Sequence, residues 1–553
     1  MNVAETVGRT LAALGVRGVF GVVGSGNFHV TNALVAHGAR FVAARHEGGA
    51  ATMADAYARV SGTVAVLSVH QGPGLTNAMT GLAEAAKSRT PLVVLAGEAT
   101  DARSNFHVDQ DALARAVGAV PMRVTSAADA AEDTAAAFRT ARHERRTVLL
   151  NLPLDVQAAP VEPREEPGDD LGRVEEHPVD AASGQAPPAE ADVARLARLL
   201  DGARSPVFVA GRGARHARRE LEDLAGRTGA LLATSAVARG LFRGSPWDLD
   251  VSGGFATPLA AELIRAADLV VGWGCALNMW TTRHGTLIGE RATVVQVDLE
   301  EPAIGAHRQV ALGVVGDSAA TARAVAGALE AGPRPGRRTP ELARRISAEG
   351  RWRDVPYADE SGGGRIDPRT LTIALDDLLP VERIVAVDSG NFMGYPSMFL
   401  DVPDEQGFCF TQAFQSIGLG LATAIGAAVA RPDRLPVAAL GDGGALMSAA
   451  ELETVVRLGL PMVVVVYDDE AYGAEVHHFG PHGHPLDLVR FPPADLAAIA
   501  RGHGFDAVTV TRPEEVAGVA AWLRGPRDRP LLVHAKVTRD RPSWWLEEAF
   551  KGH

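Results

Sequence analysis

The sequence predicts an α/β protein made of three doubly wound parallel sheets, and three observations carry that prediction. At 553 residues the chain is too long for a single core. Short β-branched runs alternate with Ala/Leu-rich segments of helical period, the pattern of strand–helix–strand units. Two Pro-rich stretches without hydrophobic period, roughly 156–190 and 331–366, divide the chain into three parts of similar size. The units are therefore placed at 1–165, 190–330 and 366–553.

The elements follow in order. In the first unit TVAVLSV (63–69) and PLVVLAG (91–97) read as strands. In the second, SPVFVAG (205–211), DLVVGWG (268–274) and TVVQVDL (293–299) do so. In the third the strands are RIVAVDSG (383–390), LPVAALGDGG (435–444) and PMVVVVY (461–467). Inside the second linker LARRISAEGRW has helical character. No run of about 18 apolar residues occurs, and the N-terminus lacks a basic region followed by an apolar core. Neither a membrane span nor a signal peptide is expected. The only cysteines, Cys275 and Cys409, are far apart and outside any CxxC, which fits a reducing cytoplasm and excludes a disulfide framework or a zinc knuckle. A net charge of −13 argues against nucleic acid or an anionic membrane as the main partner and leaves small molecules.

One stretch is chemically awkward. In PMVVVVYDDEAYG a valine strand runs straight into Asp468, Asp469 and Glu470, three acids that repel one another and resist desolvation. A solvated loop is the ordinary reading of such a triplet. The preceding LPVAALGDGGALMSAAELETVVRLGL changes it. A strand ends at Leu440, and Gly441, Asp442, Gly443 and Gly444 form a turn. Ser448 and Glu451 have the spacing of a capping box, Leu452, Val455 and Val456 make an apolar helix face, and Gly459 with Pro461 ends the helix. This is a βαβ unit, so both strands end on one side of the sheet, where doubly wound folds bind ligands. Asp442 and Asp469, 27 residues apart, are thus expected to converge. Two hard oxygen ligands beside open backbone N–H groups suit Mg²⁺ or Ca²⁺ bridging to a phosphate.

A Gly-Asp-Gly turn, about two dozen residues, a strand and an acid or amide pair together resemble the cofactor motif of thiamine diphosphate (ThDP) enzymes. The chain is similar to the branch that contains acetolactate synthases, benzoylformate decarboxylases and pyruvate decarboxylases. That motif usually ends in Asn-Asn, where this chain has Asp468-Asp469. The resemblance implies pyrimidine-binding, central and diphosphate-binding domains in that order. It implies Asp442 and Asp469 as Mg²⁺ ligands, with the Ala471 carbonyl as a third.

It also implies a glutamate in the first domain, and FVAARHEGGAATMADAYAR supplies Glu47. A Glu at such a position is ordinarily a first-turn acid facing water. The strand–Glu–Gly-Gly setting instead suits a sheltered carboxyl, which in the family exchanges a proton with the aminopyrimidine and so produces the C2 ylide. VLSVHQGPGLTNAMTG and VFGVVGSGN place His70, Asn77 and Ser25 where benzoylformate decarboxylase has active-site residues. QSIGLGLATAIG puts Ile417 at the apolar position that bends ThDP, although core packing would also explain it. DSGNFMG, with Ser389, Gly390 and Asn391, matches the diphosphate loop. AYGAEVHHF aligns Glu475 with a catalytic glutamate of pyruvate decarboxylase. His477, His478, His482 and His484 follow; their spacing is poor for a metal site and reads as an active-site loop.

In the central unit VAGRGARH begins like a dinucleotide loop, but His216 replaces the third glycine; Asp298 ends a strand where an acid could meet a ribose, yet strand-end acids are common. FAD is therefore not favoured. The function implied is ThDP- and Mg²⁺-dependent decarboxylation of a 2-oxo acid through ylide and enamine. The enamine is then protonated to an aldehyde or ligated to an aldehyde or ketone acceptor, with His70 and Glu475 as proton carriers. The alternatives are an acetolactate synthase-like carboligase or 2-oxo acid oxidase holding FAD, and a nucleotide-binding scaffold without activity. A cytoplasmic homodimer or homotetramer with shared sites is the assembly the resemblance implies.

Overall fold

The structure, a computed structural model, describes residues 1–162, 187–330, 332 and 334–549. It contains three six-stranded, all-parallel sheets flanked by helices. Most of the linker expected over 156–190 lies outside the described residues. The helical reading inside the second linker holds, as the helix Pro340–Glu349.

In each sheet the strand order reverses at a central pair, and that reversal point locates a crevice. In the first sheet the strands Gly18–Gly21 and Ala65–Val69 are neighbours. Arg40–Ala43 lies outside the former and Leu92–Glu98 outside the latter, so the reversal falls between the pair. Their C-terminal ends lead to Ser25 and His70. In the second sheet Pro206–Ala210 pairs with Leu269–Trp273, and in the third Arg383–Val387 pairs with Leu435–Gly441. The ends of that last pair lead to Asp388–Asn391 and to Asp442. Strand Val463–Asp468 lies beside Leu435–Gly441. Its valines are wholly buried because a parallel sheet is covered on both faces.

The first and third sheets share one core. Helix Glu47–Ser61 lies against Gly420–Ala430, joining Met53 and Ala54 to Leu421 and Ile425 in one buried cluster. Gly426 makes the approach possible: a Cβ there would stand 2.1 Å from the Met53 carbonyl oxygen. The second sheet keeps cores of its own.

One sequence expectation needs correction. Ser448 and Glu451 do not form a capping box. Ser448 closes the short helix Asp442–Met447, its hydroxyl donating to the Gly444 carbonyl at 2.8 Å. The chain turns again, so the next helix begins at Glu451 itself, and the Glu451 carboxylate points toward the first sheet. The Gly211–Gly213 turn departs from the dinucleotide pattern, as the missing third glycine leads one to expect, although Gly211 and Arg212 border the central cavity. A Cβ on Gly211 would lie 2.2 Å from the Gly274 carbonyl, so the glycine serves backbone packing between two turns. The helix begins only at Arg218, and His216 bonds Asp317 at 2.7 Å instead of facing a ligand.

Candidate active site

At the reversal point of the third sheet lies a cavity of about 300 Å³. Ser389, Gly390 and Asn391 border it from one strand end, and Gly441 through Gly444 from the next. Asp469 and the segment Ala471–Glu475 border it from the third. Ile417 and the C-terminal residues Trp545 and Leu546 complete the wall. Asp442 and Asp469 thus share one cavity, as the strand topology predicts.

The acid triplet resolves into three different environments. Asp468 turns away and accepts from His534 Nε2 and Lys536 Nζ, each at 2.6 Å. Burial pushes its pKa up, but these two bonds outweigh it and hold the carboxyl below the usual range. Glu470, which adopts φ 57°, accepts from Arg365 at 2.7 Å and Arg539 at 2.6 Å, and pairs with Lys536. Burial raises its pKa too, and Arg365 leads the cations that bring it down. Asp469 alone faces the cavity, and among the described residues no Lys, Arg or His lines that cavity. Burial pushes Asp469 up to about 6, against the bond from the Asn391 amide. Asp442 is pushed up to about 7 by burial and then by Asp469 and Asp468. Two carboxylates driven toward the protonated state by their own surroundings make a strong demand for a cation.

The glycines of the turn are needed where they stand. A Cβ at Gly444 would fall 2.1 Å from Asp388 Oδ2, and one at Gly473 would fall 2.2 Å from Asp469 Oδ2. Asp388 opens the DSGNFMG segment, just before the three residues matched to the diphosphate loop. It is fully buried and accepts from the Ser389, Gly418 and Leu419 N–H groups at 2.9–3.2 Å. It thereby ties the turn after Ile417 to the turn around Asp442. Burial holds its carboxyl at about 6 despite those bonds. Asn391 is fixed as well: its backbone carbonyl accepts from Trp545 Nε1 at 2.8 Å and its side chain from Ser543 Oγ at 3.0 Å. Trp545 carries no sequence signal, because no spacing rule links it to a residue so far along the chain.

The first-sheet residues form a second group. Asn77 Nδ2 donates to Glu47 Oε2 at 3.1 Å. The Gly26 N–H donates to His70 Nδ1 at 3.1 Å, so a neutral ring carries its proton on Nε2. Phe106 stands edge-on to His70, with ring centres 5.3 Å apart. Glu47, expected to be sheltered, is half-exposed because it opens a helix at the rim of the sheet. Ser25 and Asn77 are exposed. None of these four lines the cavity around Asp442. Exposed apolar side chains accompany both groups: Val23, Phe28 and Phe106 on the first, Phe414, Ile417, Leu446 and Met447 on the third.

Of the residues after the acid loop, Glu475 lines the cavity. His477 and His478 share its helix, Gly473–Phe479, without reaching the wall. Burial holds the His477 ring below its ordinary pKa. Among the described residues no cluster of three or more His, Cys, Asp or Glu is placed to hold a metal ion, and His477 and His478 lie on a helix where a loop is expected.

The second sheet's reversal point opens into a larger cavity of about 720 Å³, bordered by Arg59, Lys87, Arg89, Arg212, Arg283 and Asp298. Burial drives Arg212 down to about 9, and the neighbouring Arg145, Arg59 and Arg89 add repulsion. Trp280, Met393, Gln412, Gln415 and Trp545 border both cavities, which therefore adjoin. Among the described residues no helix is long and apolar enough to cross a membrane.

Comparison with known proteins agrees with this architecture. Residues 1–146 match the N-terminal thiamine pyrophosphate binding domain of thiamine pyrophosphate enzymes. Residues 193–325 match their central domain, and residues 388–535 their C-terminal thiamine pyrophosphate binding domain. The chain is 30% identical to a putative acetolactate synthase large subunit of Mycobacterium tuberculosis, over 91% of its own length and 92% of that protein's. It is 29% identical to a sulfoacetaldehyde acetyltransferase of Castellaniella defragrans, over 93% and 89%. A probable 2-ketoarginine decarboxylase of Pseudomonas aeruginosa is 28% identical, over 95% and 91%. Three consecutive domain matches, relatives that align over nearly the whole chain and three parallel sheets in the matching places lead to one conclusion: the chain belongs to the thiamine pyrophosphate enzyme family.

Proposed function

We propose that the protein is a Mg²⁺-dependent ThDP enzyme that decarboxylates a 2-oxo acid and either releases the aldehyde or ligates it to a second carbonyl compound. The observation that carries this reading is Glu475 in the wall of the cavity that also holds Asp442 and Asp469. Asp442, Asp469 and the Ala471 carbonyl are assigned to the metal. Ser389, Gly390, Asn391, Gly441, Gly443 and Gly444 are assigned to the diphosphate. The donor set fits: hard oxygens, no lining cation among the described residues, and glycines that leave backbone N–H groups open.

When bound, ThDP supplies a carbanion at its thiazolium carbon and an electron sink for the departing carboxylate's electrons. The chain's own residues supply position and protons. Ile417 would offer the cofactor an apolar edge, and Glu47, held by Asn77 at 3.1 Å, would hold the proton exchanged with its pyrimidine ring. His70, whose Nδ1 accepts from the Gly26 N–H, carries its proton on Nε2 and is assigned to the substrate side together with Ser25 and Asn77. Glu475 delivers a proton to the product carbon before release. His477 and His478 lie on the Glu475 helix, outside the wall. They are assigned to the loop that covers the site.

The first-sheet group and the third-sheet cavity do not meet within one chain, and each carries exposed apolar side chains. A homodimer, or a tetramer built from two, would complete each site with residues from two chains. The units 1–165, 190–330 and 366–553 then serve as pyrimidine, central and diphosphate domains of a cytoplasmic enzyme.

A second reading has a specific observation in its favour. The cationic central cavity adjoins the diphosphate pocket and suits an anionic nucleotide, which would make the protein acetolactate synthase-like, with FAD or a related ligand. Absorbance near 450 nm in the purified protein separates the two. The reaction itself is tested by turnover of a 2-oxo acid panel with and without added aldehydes. Glu475→Gln is expected to raise the ratio of ligation product to aldehyde while total turnover falls. A wild type that gives only ligation product, with an unchanged ratio in the variant, removes Glu475 as proton donor and favours the second reading.

A further inference from the structure

The Glu451 carboxylate does something its own helix does not need. It is 3% exposed, and its Oε1 accepts from the backbone N–H groups of Arg45 at 3.0 Å and His46 at 3.1 Å. Its Oε2 accepts from Thr454 Oγ1 at 2.6 Å, so both oxygens are satisfied and the group is locked. Arg45 and His46 are the two residues immediately before Glu47. Gly49 leaves the seat open: a Cβ there would stand 2.5 Å from Glu451 Oε1 and 3.0 Å from its Cδ. Glu453 and Arg457 of the same helix reinforce the contact, pairing with Arg45 at 3.0 Å and with the Ala43 carbonyl. Helix Glu451–Arg457 follows the turn that carries Asp442 after a single short helix.

We propose that Glu451 is a positioning residue for Glu47, holding the backbone that aims the Glu47 carboxylate, and that it links this glutamate mechanically to the metal-side turn of the same chain. The proposal rests on the reading of Glu47 as the acid that faces the cofactor. If sites are completed by two chains, Glu47 serves one site and Asp442 the other, and Glu451 is the strut between them. Two backbone donors on one buried carboxylate set the entry of the helix at Glu47 more tightly than a solvated turn would. A displacement of about 1 Å at a catalytic group is enough to cost roughly 10²-fold in rate.

The test compares Glu451→Ala, Glu451→Gln, Gly49→Ala and Glu47→Gln in the full-length protein. Gln keeps an acceptor oxygen toward Arg45 and His46, so it should rescue what Ala loses. In the cofactor-free protein, hydrogen–deuterium exchange at the Arg45 and His46 amides should speed up at least about tenfold in Glu451→Ala and stay near wild type in Glu451→Gln. With Mg²⁺ and ThDP added, thiazolium C2–H exchange should slow by roughly 10–100-fold in Glu451→Ala, with ThDP affinity within about twofold of wild type. Gly49→Ala should reproduce both effects by displacing the carboxylate, and it carries the test should Glu451→Ala fail to fold. Unchanged amide protection, or a loss of ThDP affinity as large as the loss of C2–H exchange, overturns the proposal. A Glu47→Gln variant with normal C2–H exchange overturns the reading of Glu47 instead, so the two failures are distinguishable.

Discussion

The third-sheet cavity and the first-sheet ledge stand at equivalent places, the winding reversals of two parallel sheets, yet they differ physically. The cavity is walled, holds carboxylates pushed up to about 7 and about 6, and among the described residues has no basic side chain in its lining. The ledge is open, with Glu47 half-exposed, Asn77 and Ser25 exposed, and its hydrogen bonds local. The cavity stores unfavourable electrostatics that a metal and a diphosphate would relieve. The ledge presents oriented groups. Binding energy is therefore expected from the former, and proton transfer from the latter.

The sharpest way to break this contrast is Asp442→Ala. With one of two cavity carboxylates gone, Mg²⁺-dependent ThDP binding should fall below detection in calorimetric titration with and without EDTA. Retained binding would mean the metal sits elsewhere. Glu47→Gln should behave oppositely, leaving ThDP bound while C2–H exchange slows by roughly 10²–10⁴-fold, the contribution of a positioned acid–base group. NMR exchange measurements decide it, and an unchanged rate removes Glu47 from the chemistry.

Asp469→Asn sharpens the comparison further, because it removes a charge and keeps an oxygen. ThDP and Mg²⁺ affinity should be preserved or tightened, and lost binding would show that the acid loop is misassigned. The smallest effect is on stability. In the cofactor-free protein Asp442 and Asp469 hold protons that the unfolded chain releases near pH 4, because their folded pKa values are raised. Stability from this source is complete below about pH 4 and is lost as pH rises through about 6 and about 7. Asp469→Asn should therefore match wild type near pH 4 and exceed it in Tm at pH 8, by about 1 °C for each kcal/mol recovered when the 553 residues melt as one unit. Scanning calorimetry across that interval checks it, and a difference that shrinks with rising pH refutes the assignment. Added Mg²⁺ and ThDP should close the gap.

Much of this architecture is legible in the amino-acid sequence. The alternation of apolar runs and helical segments is local, and it implies three parallel sheets because buried strands and amphipathic helices follow from side-chain period alone. The convergence of Asp442 and Asp469 is legible for a related reason, since a right-handed βαβ unit puts both strand ends on one edge. The capping box is a false signal because Ser448 and Glu451 have the correct spacing for a local bond. Spacing says nothing about the distant N–H groups of Arg45 and His46, which Glu451 meets instead.

The parts of the site are written along the chain: a glycine turn, an acid after each of two strands, and a glutamate opening a helix. Which acids stay uncompensated is a property of the folded molecule. Asp468, Asp469 and Glu470 are adjacent and chemically alike, but the partners that compensate Asp468 and Glu470 come from far along the chain, Arg365, His534, Lys536 and Arg539. Strand pairing sets Asp468 beside Lys536, and Glu470 is turned to Arg365, Arg539 and Lys536, leaving Asp469 facing the cavity. Charge compensation depends on distance through space, and no local pattern encodes that distance.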